Sequence, residues 1–265
     1  MNITLRRILI LVWLAVFVSV LLIPTNTVEA ETPPLLRRLR VPALMYHYIS
    51  VPPPGSDIYR LDLSVTPENF TRQMEWLRDK HFTPISTDDL IVALRYGAPL
   101  PSNPILLTFD DGYDDAYINA FPILKSFGFK GTFFIVTNWL DQGREGYLSW
   151  DQAKEMADAG MSIQSHSRAH VDMRNESREW LDNQIVGSAQ DIEDHIGVRP
   201  AIFCYPGGGF DRNVIAALKL DGIAAAFTTQ DGTYLTSDGM YRLPRVRVRG
   251  STTIQAFASL LQWKR

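Results

Sequence analysis

Cysteine is nearly absent from this chain: Cys204 is the single one among 265 residues. An internal disulfide is thereby excluded. Stability has to come from core burial, which suits a large domain and not a small stapled one. An excess of either charge is lacking too. Lys and Arg number 26 against 29 Asp and Glu, a net −3, so there is no electrostatic case for a nucleic-acid partner. Histidine is scarce, with five in all, which makes a close pair of them informative. No internal repeat and no low-complexity tract breaks the chain after Val41.

One long apolar run is present, over 8–23, uncharged and preceded by Arg6 and Arg7. Pro24 ends it, and Val28-Glu29-Ala30 offers small residues at both ends of a cleavage-like site. A basic start, an apolar run and a small-residue exit read as a secretory signal peptide over 1–30, or as an uncleaved membrane anchor through 8–23. Either way the remainder is expected to be exported: extracellular, periplasmic, or anchored and facing outward. Residues 31–40, polar and without periodicity, read as a linker, and 41–265 as one domain.

Within that domain short apolar runs alternate with amphipathic helical patterns. Thr66 with Pro67 opens a helix whose face carries Phe70, Met74 and Leu77. Further helices are predicted over 86–96, near 120–127, from the Ser149/Gln152 capping pair to Gly160, over 181–197 and from Asp211 to Gly222. Strands are predicted over 105–109, 131–137, 161–165, 201–205 and 223–228. Strands separated by helices imply βα units and a parallel sheet. Five or more such units make an α/β barrel the leading architecture, with its site at the C-terminal strand ends.

Three clusters fall at such ends. Asp110 and Asp111 follow the run 105–109, in Thr108-Phe109-Asp110-Asp111-Gly112. Adjacent carboxylates repel and are costly to bury without a cation. Alone, the segment also reads as a solvated Asp-Asp-Gly turn. His166 and His170, in His166-Ser167-Arg168-Ala169-His170, follow the run 161–165. Neutral imidazoles four apart can reach one ion, but Ser167 stands where a zincin has glutamate, so a base must come from elsewhere. The bland reading is two unrelated surface histidines. The third cluster, Cys204-Tyr205-Pro206-Gly207-Gly208-Gly209, is a glycine-rich loop that brings backbone N–H groups close to a ligand, or a plain βα turn. Cys204 reads as a small buried hydrophobe. Together, Asp111, His166 and His170 form the two-nitrogen, one-carboxylate set of an open catalytic site, with Asp110 left over as the base. Trp139, Tyr147 and Tyr205 are aromatics that could stack on sugar rings, or simply pack.

Thr-Phe-Asp-Asp-Gly followed by His-Ser-x-x-His resembles the polysaccharide deacetylase family, also called the NodB-homology or carbohydrate esterase 4 domain. The resemblance runs from about Val41 to Val248. It implies a distorted (β/α)₇ barrel, a divalent metal, commonly Zn²⁺, and an N-acetylated polysaccharide as substrate. It carries Asp110 over as general base, Asp111, His166 and His170 as metal ligands, and the Gly207 N–H as oxyanion donor. The chain departs from the common pattern where Cys204 and Gly207 replace an arginine and a tyrosine, and where no histidine follows His195. Arg245 is the candidate to replace the arginine that orients the base; alternatively it is an exposed charge at a strand end. The departures, with Leu44-Met45-Tyr46-His47, resemble the poly-β-1,6-N-acetylglucosamine deacetylase branch, in which the early histidine serves as general acid. That assigns the acid to His47, whose ordinary pKa of about 6.5 nearby carboxylates would raise; its bland reading is a core histidine. The competing functions are a non-catalytic carbohydrate-binding barrel and a deacetylase of chitin oligomers, peptidoglycan or acetylxylan.

Overall fold

The computed structural model describes residues 35–261; the apolar run 8–23 and the cleavage-like site lie outside the described residues. In chain order the strands are β1 (Arg38–Arg40), β2 (Ala43–Tyr46), β3 (Thr83–Pro84), β4 (Pro104–Phe109), β5 (Thr132–Ile135), β6 (Ser162–Ser165), β7 (Ile202–Cys204), β8 (Ala225–Asp231), β9 (Tyr234–Thr236) and β10 (Leu243–Arg247). Seven of them pair in parallel in the order β2-β10-β8-β7-β6-β5-β4, and β4 pairs again with β2, which closes a ring. Helices cover the outside. This is the expected (β/α)₇ barrel, and its distortion has a visible origin. The extra strand β3 pairs with the first residues of β4, Pro104 and Ile105, whereas β5 pairs with its last, Thr108 and Phe109.

The two-residue period of a strand sorts the core into an inside and an outside. Ile105, Leu107 and Phe109 of β4, and Phe133 and Ile135 of β5, pack outward with Phe70, Met74 and Leu77 of the helix Pro67–Asp79. Ala43, Leu106, Phe134, Ile202, Cys204, Ala225, Phe227 and Leu243 share a second cluster within the ring. Period two therefore sends Thr108, two residues after Leu106, and Arg245, two after Leu243, toward the barrel interior, where both are fully buried.

The helices begin where their capping residues stand. Thr66 accepts from Asn69 N with Pro67 at the first helical position, and Ser149 and Gln152 exchange the reciprocal bonds of a capping box. Several boundaries differ from expectation. Thr137 starts a short helix, Thr137–Asp141, so β5 stops at Ile135. The helix Phe121–Phe127 is preceded by a π-turn over Ala116–Ala120. The stretch 31–40 is not all linker: β1 pairs antiparallel with β9, with Leu39 opposite Leu235. A three-residue strand needs only backbone bonds and one buried side chain, too little to leave a periodic pattern.

Candidate active site

All but one of the proposed site residues sit at the C-terminal mouth of the ring, and the exception, Arg245, lies within β10 and reaches Asp110 from inside. His47 follows β2, Asp110 and Asp111 follow β4, His166 and His170 follow β6, Gly207 follows β7, and Arg245 lies in β10. The chain turns sharply there. Asp111, Ser167 and His170 all hold positive φ (74°, 67° and 52°), a conformation uncommon outside glycine. Gly112 also has positive φ, 74°, and a Cβ on it would lie 3.2 Å from the Ile135 side chain. The strained, closely packed turn aims Asp111 back over the mouth.

Asp110 already has a cation. Arg245 Nη1 and Nη2 donate to Asp110 Oδ1 and Oδ2 at 2.7 and 2.6 Å, both side chains buried. Arg245 is thus not an exposed strand-end charge. Burial acts to raise the Asp110 pKa, but the guanidinium's charge and hydrogen bonds outweigh it and hold the carboxyl below the ordinary value.

Asp111 has no such partner. Its Oδ1 is buried without a hydrogen-bond donor, yet His166 Nε2 and His170 Nε2 approach it at 3.3 and 3.1 Å. His166 Nδ1 lies 2.7 Å from the Cys204 carbonyl oxygen. A carbonyl only accepts, so Nδ1 carries the hydrogen and, in the neutral ring, Nε2 presents a bare lone pair. Two acceptors at 3.3 Å repel unless a positive species lies among them. Burial would raise Asp111, and the imidazoles facing it reverse this and hold it well below the ordinary carboxylate value. Burial would lower His170, and Asp111 reverses that and raises it. The ligand atoms of Asp111, His166 and His170 lie within 4.8 Å of one another. The donor set, the fixed tautomer and the orphaned oxygen all fit a divalent metal. A second triad, Asp110, His166 and Cys204, is equally close, but Arg245 Nη2 already occupies it, 3.1 Å from Cys204 Sγ.

His47 Nε2 is 3.9 Å from Asp110 Oδ2 on the other side of the mouth, and its Nδ1 is buried without a partner. The expected rise of its pKa is not found. Burial is the largest influence and lowers it, and Asp110 and Asp111 offset only part of this. The Gly207 N–H makes no hydrogen bond among the described residues. Gly207 lies at φ 60° in a 3₁₀ turn over Pro206–Gly208, and it shares with His170, Asp172 and Arg174 a cleft of about 210 Å³. Gly208 is required beside it, because a Cβ there would meet Thr229 Oγ1 at 2.1 Å.

Of the three aromatics considered, Tyr205 is fully buried, its hydroxyl donating to the Tyr241 carbonyl, so it presents no face to a sugar. Trp139 is 5.6 Å from the His170 ring and 4.5 Å from Tyr147. Sequence reasoning missed two neighbours: Tyr147 lies 5.1 Å from Tyr113, which stacks on Tyr48. Tyr113, two residues after Asp111, carried the one available signal. Thr108 and Thr228, which also bond Arg245, left none.

A parallel barrel whose mouth joins an arginine-held carboxylate to a two-histidine, one-carboxylate set is of the hydrolytic α/β-barrel class. The comparisons narrow this. The polysaccharide deacetylase family profile matches residues 97–226. The Bacillus subtilis protein YxkH is 30% identical over 223 residues, covering 84% of this chain and 76% of its own. The poly-β-1,6-N-acetyl-D-glucosamine N-deacetylase of Staphylococcus epidermidis is 26% identical over 240 residues, covering 83% and 81%. The crystal structure of BC0361, a polysaccharide deacetylase from Bacillus cereus, superposes with a TM-score of 0.74 at 30% identity, over 85% of this chain and 70% of that one. The chain belongs to the polysaccharide deacetylase family.

Proposed function

We propose that this protein is an exported, zinc-dependent deacetylase that removes N-acetyl groups from poly-β-1,6-N-acetylglucosamine. The observation that carries the chemistry is the division between neighbours: Asp110 held by Arg245, and Asp111 Oδ1 facing His166 and His170 with no hydrogen bond of its own. Glycan choice is supported by the Staphylococcus epidermidis relative, whose name specifies that polymer. Export is supported by the basic start and apolar run at 8–23.

Asp111, His166 and His170 would hold the metal. When bound, a divalent ion there supplies Lewis acidity for the acetyl carbonyl and the attacking water. The chain's own residues do the rest. Asp110, ionised and oriented by Arg245, removes a proton from the water as it attacks. Gly207 lines the cleft beside His170, and its N–H, which has no other acceptor among the described residues, donates to the oxygen on which charge develops. Collapse of the tetrahedral carbon needs a proton on the departing amine, and His47, near Asp110, delivers it. Burial disfavours a standing imidazolium on His47; the proton it delivers is the one Asp110 took from the water, passed across the 3.9 Å between Asp110 Oδ2 and His47 Nε2 and on to the amine as the C–N bond breaks.

Acetate release from poly-β-1,6-N-acetylglucosamine, chitin oligomers, peptidoglycan and acetylxylan, with and without a chelator, tests the proposal. The β-1,6 polymer is expected to react fastest, and only with metal present. Faster release from another glycan overturns the substrate, and an undiminished rate under chelation overturns the metal.

A further inference from the structure

Arg245 presents five N–H donors and no acceptor, and none of it is exposed. Its Nε–H donates to the Thr228 carbonyl at 3.0 Å. Nη1 donates to Thr108 Oγ1 at 3.1 Å and to Asp110 Oδ1 at 2.7 Å. Nη2 donates to Asp110 Oδ2 at 2.6 Å and to Cys204 Sγ at 3.1 Å. Each hydrogen of the guanidinium thus has its own acceptor, and a sulfur serves for the fifth. The same thiol lies 3.8 Å from Asp110 Oδ2, within reach as a weak donor. Cys204 also contributes, through its carbonyl oxygen, the acceptor that sets the ring of His166.

We infer that Cys204 is a positioning residue: its sulfur seats the Nη2 edge of Arg245, and thereby Asp110, while its carbonyl fixes the tautomer of a metal ligand. One strand end aligns the base and the metal site together. The inference rests on the reading of Asp110 as base. The alternative uses of the thiol do not fit. It is fully buried, with its sulfur against Arg245 Nη2 and Asp110 Oδ2, so it is closed to reagents and to a substrate. With Nη2 at 3.1 Å there is no room for a longer side chain. The position is matched to a small acceptor, and the two side chains meet only because β7 and β10 both turn these residues into the ring.

The test compares Cys204→Ala and Cys204→Ser in the zinc-loaded full chain, each also in an Arg245→Lys background. The readouts are kcat and KM for acetate release from an N-acetylglucosamine oligomer, zinc content, and the side-chain NMR signals of Arg245. Removing an acceptor from a buried charged donor is expected to lower kcat about tenfold to a hundredfold in Cys204→Ala. KM and zinc content should hold, because the backbone carbonyl remains. Cys204→Ser, which keeps an acceptor, should recover most of the loss. In the Arg245→Lys background the alanine change should add nothing. The wild type is expected to show separate, slowly exchanging Nη signals, which should merge in Cys204→Ala and persist in Cys204→Ser. A wild-type kcat in Cys204→Ala, an equal proportional loss in the lysine background, or unaltered Arg245 signals each overturn the inference. If the alanine variant does not fold, the serine variant decides: retained kcat and Arg245 signals support the seat, and loss of both overturns it. If the wild type releases no acetate, the deacetylase reading falls, and the Arg245 signals alone still decide the role of Cys204.

Discussion

Asp110 and Asp111 are chain neighbours of the same chemistry, and the fold treats them as opposites. Asp110 meets a guanidinium that takes both its oxygens, inside a ring where all five of that group's hydrogens are placed. Asp111 meets two imidazole nitrogens, one of which is a bare lone pair, and keeps a buried oxygen with no donor. The first is a closed electrostatic unit that needs nothing further. The second is closed only by an added cation. Two buried carboxylates side by side are tolerable when each has its own source of positive charge: Arg245 for Asp110 and, in the proposed site, a bound ion for Asp111. The same difference is the basis of the proposed division of work: Asp110 has its cation built in, and Asp111 directs its unbonded Oδ1 at the histidines.

The largest effect that breaks this contrast is Asp110→Asn. It removes the proposed base and should lower kcat by about 10²–10⁴ while zinc content holds. Activity within tenfold of wild type would show that the base is elsewhere. The variant should also be less stable, since it leaves Arg245 buried with half a partner. Stability is addressed directly by Arg245→Met, which strands the Asp110 charge and should cost about 3–5 kcal/mol in urea unfolding. Pairing it with Asp110→Asn should return much of that loss. Simple addition of the two costs would mean that the pair is not a closed unit. On the Asp111 side the effect is an addition. Zinc at about a hundredfold over its dissociation constant should stabilise the wild type by about 2.7 kcal/mol and leave His170→Ala unmoved. Equal shifts in both proteins would remove His170 from the site.

Much of this contrast was legible before any fold was known, and the reason is local. Asp110-Asp111-Gly112 and His166 to His170 each lie within a few residues of a strand end, so apolar runs located them. The barrel was legible for the same reason, through Gly97, Gly128 and Gly197 at helix ends in the left-handed conformation. Arg245 was legible only as a replacement for something missing. Its contacts with Asp110 and Thr108 span 135 and 137 residues and exist because β10 and β4 both flank β2 in the closed ring. Thr228 and the sulfur of Cys204 were illegible as partners, since a threonine and a cysteine in apolar strands look like filling until a charge is placed against them. The fall in the His47 pKa escaped for a related reason. Its carboxylate neighbours were visible in the sequence, whereas the depth of its burial was not.

A third aspartate sharpens the comparison at the smallest scale. Asp211 relies chiefly on backbone donors: it accepts from the backbone N–H groups of Asn213 and Val214 at 2.8 and 3.0 Å, capping the helix Arg212–Leu220, and from Asn175 at 2.8 Å. The bond from Asn175 ties that cap to the loop that follows His170. The hydrogen bond from Val214, then that from Asn175, hold the Asp211 pKa below its ordinary value. A depressed folded-state pKa stabilises the native state above the unfolded value of about 3.9, and the contribution fades as pH falls through the folded value. Asp211→Ala should therefore cost about 1 kcal/mol at neutral pH, the usual worth of an N-cap, and less under acid conditions where the wild-type carboxyl is itself protonated. Asp211→Asn keeps a neutral acceptor, so its own cap should not weaken with acid. Urea unfolding of the three proteins at pH 7 and at about pH 3 checks this. A gap between wild type and Asp211→Ala that is the same at both pH values would show that the cap does not depend on the carboxylate's charge.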